Sequence, residues 1–181
     1  MDNVLRIDDL KAGLPGVTQI QGGYCAECIM VCLHRAGHTE EKCVLHVDCI
    51  KVTEDFQLLW TDSYNDQIDR SHADEQITIE HAAEGISILL SLRLTPYTVV
   101  QRSRKGTGFD YWLGIEANTP SKFELKARLE VSGIRSETEA NSLEKRFKVK
   151  CNQVTPTDDT GFPAYISVVE FSNPKAKFAK K

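Results

Sequence analysis

No apolar run in this chain of 181 residues approaches the ~18 to 20 residues that a transmembrane helix needs. The first nine residues, Met1 to Asp9, have neither the basic start nor the apolar stretch of a signal peptide. No membrane role is therefore expected, and a cytoplasmic location is, with the six cysteines kept reduced. Internal repeats and low-complexity segments are also absent. The balance of 41% hydrophobic and 27% charged residues excludes a disordered or collagen-like chain and is enough to bury a core. The length predicts one domain, or one domain with a sub-domain.

The net charge of -4 argues against a general nucleic-acid binder, but the charge is unevenly spread. Residues 1–90 hold 6 Lys/Arg and 16 Asp/Glu, and residues 91–181 hold 16 and 10. An acidic N-terminal region thus precedes a basic C-terminal one.

The glycines and prolines between residues 10 and 23 predict a loop. A helix follows from Tyr24 to about Ala36. Cys43–Val52 and Phe56–Trp60 predict a β-hairpin with a turn at Thr53-Glu54-Asp55. Residues 61–75 are polar and acidic and predict a connecting loop. Ile77 to about Leu92 is apolar on most sides, which predicts a buried helix. Strands are expected at Tyr97–Gln101, Phe109–Leu113, Phe123–Val131 and Ala164–Phe171. Ser136-Glu137-Thr138-Glu139 matches a capping box, ahead of a helix with an apolar stripe at Ala140, Leu143, Phe147, Cys151 and Val154. The basic residues 174–181 predict a mobile tail. The expected organisation is an N-terminal helix and hairpin over 1–75, a core over 76–173, and the tail. From residue 77 the order is helix, strand, strand, strand, helix, strand. An α/β fold with helices packed on a mixed sheet is the natural solution.

Cys25-x2-Cys28 has a zinc-like spacing, and Cys32, His34, His38, Cys43, His46 and Cys49 could be combined with it. Cys25, Cys28 and Cys32 also fall at i, i+3, i+7 on one helix face, where reduced cysteine behaves as a small buried hydrophobe. No zinc is expected. Lys105-Gly106-Thr107-Gly108 has part of a phosphate-loop pattern but leads into a strand, so a hairpin turn is predicted.

The strands carry the sharper signal. Asp110 lies in the aromatic strand Phe109–Leu113. Alternation puts Lys126, Arg128, Glu130 and Ser132 on one face of the next strand, and Leu125, Ala127, Leu129 and Val131 on the other. Acids are unfavourable inside strands unless they have a partner or a metal. With this element order, the chain over residues 76–171 resembles the PD-(D/E)xK nuclease superfamily. The resemblance implies a restriction-endonuclease-like core. In it Asp110 and Glu130 are catalytic metal ligands, and an acid on the preceding helix joins them, holding Mg²⁺ or Mn²⁺ to activate water against a phosphodiester. For the helical acid, a wheel places Ile79, Ala82, Ala83, Ile86, Leu89 and Leu90 on one face, with Glu80 on its rim and Glu84 pointing further away. Glu80 is therefore expected on the metal.

The chain departs from the family pattern at the lysine, whose position holds Ser132. Lys126 or Arg128 on the same face is expected to substitute, or Lys150 or Gln153 from the next helix. A nucleic-acid surface is expected at Arg104, Lys105, Lys145, Lys148 and Lys150. By analogy alone, host defence would suit such an enzyme. In the alternative, the fold is catalytically inactive and serves as a binding or regulatory subunit, with acidic residues 1–75 contacting a protein. Asp110 and Glu130 would then pair with Arg102, Lys126 or Arg128.

Overall fold

A computed structural model describes residues 3–40, 42–49, 52–118, 120 and 122–181. In chain order, β1 (Val4–Arg6) leads into a short 3-10 helix, Ile7–Ala12, and then α1 (Gln19–Arg35). The hairpin β2 (Val44–Asp48) and β3 (Thr53–Leu59) follows, then α2 (Asp66–Ser71) and α3 (Glu75–Leu94). Next come β4 (Thr98–Arg102), β5 (Tyr111–Glu116), β6 (Phe123–Ile134) and α4 (Leu143–Gln153). A second 3-10 helix, Thr155–Thr160, precedes β7 (Ala164–Glu170) and β8 (Lys175–Lys180). The eight strands form one mixed sheet in the order β1-β3-β2-β8-β7-β6-β5-β4.

The sheet has helices on both faces because its strands are apolar on both. Along β6, Ala127, Leu129 and Val131 enter the core beneath α1 and α3, while Ile134 packs with Phe147 of α4 on the other side. β6 and β7 pair in parallel, with Glu130 opposite Ile166. Parallel neighbours need a crossover, and α4 supplies it. α3 is covered by α1 on one side and the sheet on the other, so Ala82 to Ser91 is buried all round. Within that contact Ser87 Oγ donates to Ser167 Oγ of β7 at 2.7 Å.

Several expectations need correction. The basic residues expected to form a mobile tail make β8, an interior strand between β7 and β2. Ala176 and Phe178 are buried, and Lys177 is neutralised by Glu144 at 2.6 Å and Asp48 at 3.3 Å. The sheet therefore has no break at the expected boundary between residues 75 and 76. Gly22 and Gly23 lie inside α1, which is capped by Thr18. Gly22 is needed there because a Cβ would fall 1.9 Å from the Leu10 carbonyl oxygen. Thr53-Glu54-Asp55 opens β3 and is not the turn. α2 occupies part of the expected acidic loop, with Asn65 as its N-cap. The helix after β6 is capped by Ser142, which accepts from Lys145 N, and not by Ser136. Glu137 still serves it, accepting from Leu143 N at 2.6 Å. Among the described residues no helix is long and apolar enough to cross a membrane.

Candidate metal centre

Asp110 and Glu130 meet where β5 begins beside β6. Tyr111 pairs with Leu129 in the antiparallel ladder, so Asp110 lies at the β5 end just beyond it. The Asp110 backbone N–H donates to Leu129 O, and Asp110 Oδ2 accepts from Val131 N at 2.8 Å. That carboxylate caps a stretch of β6 that β5 no longer covers. The intervening residue is Glu130, whose side chain is 1% exposed. Its Oε1 accepts from Lys150 Nζ at 2.6 Å and from Gln153 Nε2 at 2.9 Å, both on α4. Its Oε2 is buried and receives no donor.

The two carboxyls interact, and each shifts the other. Burial, and then the Asp110 charge, push the Glu130 carboxyl up to about 7, against the pull of Lys150. Burial also raises Asp110, and Glu84 adds to it, while the Val131 N–H and Lys150 oppose the rise. Two carboxylates this close and this dry do not both ionise without a compensating cation. The pair is a place where a cation would be welcome.

The third acid near this pair is Glu84. It is buried, with Oε1 accepting from Arg102 at 2.6 Å and Oε2 accepting from Tyr111 at 3.2 Å and facing His81 Nδ1 at 3.0 Å. Glu80, the acid expected on the metal, is exposed, and its carboxylate accepts from Gln76. The wheel failed because it assumed one buried face. α3 is buried on two sides, and Glu84 lies in the crevice between α3, β4 and β5. Both acids line the same cleft, of about 670 Å³.

The other expected residues are dispersed. Lys126 is paired with Glu124, next but one along the strand. Arg128 is fully buried and serves the fold. Its guanidinium donates to Phe162 O, Val154 O, Thr157 Oγ1 and Asp158 Oδ1, pinning the loop before β7. Neither is bonded to Asp110 or Glu130, whereas Lys150 reaches Glu130 from α4 and Ser132 lines the cleft. Arg104 and Lys105 are exposed at the β4–β5 turn, beside a second cleft of about 300 Å³. Gly106 and Gly108 take positive φ in that turn, at 94° and 81°. Lys145 donates to Glu139 O, and Lys148 faces Glu144 at 3.6 Å on the outer side of α4. Of the five basic residues, Lys150 lines the larger cleft and Arg104 and Lys105 the smaller.

Cys25, Cys28 and Cys32 are free thiols buried in α1, and burial pushes each up to about 12. Cys25, His81 and Glu84 place one ligand atom each within 4.8 Å of one another, a second group that could hold a metal. There, however, the thiol holds its proton tightly and Glu84 is already neutralised by Arg102. The Asp110–Glu130 pair offers the harder, oxygen-only donors that suit Mg²⁺ or Mn²⁺. Comparison of the chain with protein-family models, curated proteins and solved structures finds no match.

Proposed function

We propose that the protein is a divalent-metal-dependent nuclease that hydrolyses phosphodiesters in DNA or RNA, with a restriction-endonuclease-like core running from α3 to β7. The observation that carries this reading is the Glu130 side chain. One oxygen is held by Lys150 and Gln153, and the other is buried without a donor beside Asp110. An unsatisfied buried carboxylate oxygen is costly. A cation ligated by Asp110 and Glu130 would satisfy it.

Bound Mg²⁺ or Mn²⁺ would supply an activated water and neutralise charge building up on the phosphodiester. The chain's own residues do the rest. Val131 N fixes the Asp110 carboxylate, and Gln153 fixes Glu130. Lys150, joined to Glu130 from α4, supplies the positive charge that Ser132 lacks, at the edge of the larger cleft. Glu84 and Glu80 line the same cleft as Asp110 and add acidic groups to it.

The test is cleavage of mixed DNA and RNA substrates with Mg²⁺ or Mn²⁺. Asp110→Asn and Glu130→Gln should abolish cleavage while both variants stay folded. Failure of the wild type to cut anything, with no stabilisation by either ion, would defeat the proposal.

A second reading is favoured by one observation. Arg102 already neutralises Glu84 next to Asp110, as a structural ion pair would. On that reading the fold is an inactive binding or regulatory subunit, in which α1, the β2–β3 hairpin and the rest of residues 1–75 contact a protein partner.

A further inference from the structure

Cys25, His81 and Glu84 come from two helices packed against each other. His81 and Glu84 are three residues apart on α3, so their side chains share one face of it. Cys25 stands opposite on α1, beside Gly85 of α3. A Cβ at Gly85 would lie 2.7 Å from Ile29 Cδ1 and 3.1 Å from Cys25 Cβ, so the missing side chain lets α1 bring its thiol close at this turn. Each of the three residues has a ligand atom within 4.8 Å of the other two, and no other such group of Cys, His, Asp or Glu occurs among the described residues. On a tetrahedral zinc ion, neighbouring sulfur, nitrogen and oxygen ligands are about 3.3 to 3.6 Å apart. His81 Nδ1 faces Glu84 Oε2 at 3.0 Å, and closure of the whole group by about 1 Å would complete that geometry.

Outer partners already orient two of the ligands, as they do around bound metals. Arg102 donates to Glu84 Oε1 at 2.6 Å, and Oε2 accepts from Tyr111 at 3.2 Å and from Arg102 at 3.3 Å. The Tyr24 ring stands edge-on to the His81 imidazole, with centroids 5.0 Å apart. The thiol proton and the Arg102 charge turn hard cations such as Mg²⁺ away from this group. They turn Zn²⁺ away far less. Sulfur, imidazole and one carboxylate oxygen are zinc's own donor set, and its bond to a thiolate replaces the thiol proton, which leaves to solvent. Arg102 makes its shorter bond to Oε1, and its side chain is 48% exposed, so solvent screens its charge. We infer that Cys25 Sγ, His81 and Glu84 Oε2 bind a Zn²⁺ ion that ties α1 to α3, with solvent in the fourth position on the part-exposed His81 side. The absence of zinc expected from α1 rests on spacing within one helix, whereas His81 and Glu84 come from another. Neither Asp110 nor Glu130 takes part, so the inference stands apart from the nuclease reading.

The experiment uses the full chain, stripped with chelator, loaded with Zn²⁺ or Co²⁺ and freed of loose metal by gel filtration. Three quantities are read: the metal retained per chain, the Tm, and the near-ultraviolet charge-transfer band that appears only when sulfur is bonded to cobalt. The wild type and Asp110→Asn should each retain a single Zn²⁺, gain Tm on loading and show the cobalt band. Cys25→Ala and His81→Ala should lose the retained ion, the gain in Tm and the band. Cys28→Ala, one turn along α1 and outside the group, should keep all three. Should Cys25→Ala fail to fold, the cobalt band of the wild type and its loss in His81→Ala, which alters a part-exposed side chain, decide by themselves. Retention of zinc by His81→Ala at the wild-type level would overturn the inference, as would its loss from Asp110→Asn. A wild type that holds no zinc and gives no cobalt band would end it outright.

Discussion

Glu130→Gln keeps the shape of a fully buried side chain and removes its charge. In the wild type the carboxyl is lifted from 4.5 to about 7, first by burial and then by Asp110. The folded state therefore holds this proton more tightly than the unfolded chain does. Below about pH 4.5 both states are protonated and the group makes no difference. Between about 4.5 and about 7 the unfolded chain loses the proton first, so stability falls as pH rises. Above about 7 the loss is complete. At ~1.4 kcal/mol for each tenfold difference in proton affinity, it comes to about 3 kcal/mol. The side chain is 1% exposed, so solvent does little to screen it. The substituted amide has no proton to lose; its NH₂ can donate to Asp110 while its carbonyl accepts from Lys150. In chelator the variant should match the wild type near pH 4.5 and exceed it by about 3 kcal/mol near pH 8. At this chain length that is about 6 to 12 °C in Tm. Chemical denaturation of both proteins across this pH range measures the difference. His72, buried and with its pKa lowered, gives an opposite slope, but both proteins carry it and it cancels. Adding Mg²⁺ near pH 8 should stabilise the wild type alone and narrow the gap. A difference that stays flat from about pH 4.5 to 8, or a variant less stable near pH 8, would refute the reasoning.

Arg128→Met should cost about 3 to 5 kcal/mol, because it strips four acceptors of their buried cation, and urea denaturation should show it without any change in Mg²⁺ stabilisation. Lys150→Met should raise the Glu130 carboxyl further, moving the pH-dependent loss of stability to higher pH, and should abolish Mg²⁺-dependent cleavage. Gly22→Ala drives a methyl into the Leu10 carbonyl; a loss of about 1 to 3 kcal/mol or more is expected, read as a lower Tm. Ending the chain at Asn173 removes an interior strand and should leave no cooperative unfolding transition by circular dichroism or calorimetry.

Where local pattern and tertiary demand agree, the sequence was sufficient. The hairpin expected from the apolar segments Cys43–Val52 and Phe56–Trp60 forms as β2 and β3, with Leu45, Val47, Phe56 and Leu58 buried. Where the two conflict, tertiary demand wins. Gly22-Gly23 has the local chemistry of a loop, yet it lies in a helix because α1 must approach the Leu10 backbone. Residues 175–180 look like a solvated basic tail, yet Ala176 and Phe178 recur with period two, and Lys177 is paired with acids from two other elements. Ser136 and Ser142 both suit a cap. The chain uses the second because Glu137 folds back to supply the acid from outside the helix.

The candidate site divides in the same way. Asp110 and Glu130 were visible as acids inside expected strands, which is unfavourable without a partner. The cation that faces them was only one of several alternatives, because α4 carries three lysines and their places relative to its apolar stripe were not compared. The ranking comes from how α4 seats on the sheet. Phe147 and Val154 are buried against β7 and β8, and Lys150 lies three residues after one and four before the other. At ~100° per residue it shares their stripe, whereas Lys148 follows Phe147 directly and points away. A lysine set within an apolar stripe is as anomalous as an acid within an apolar strand. The two anomalies are twenty residues apart, on elements joined by one parallel crossover, and each is the partner the other lacks. A shift of α4 by one residue would turn Lys150 out of that stripe and leave Glu130 without its cation. The seat of Phe147 and Val154 therefore sets the charge of the candidate site as well as the packing of the helix.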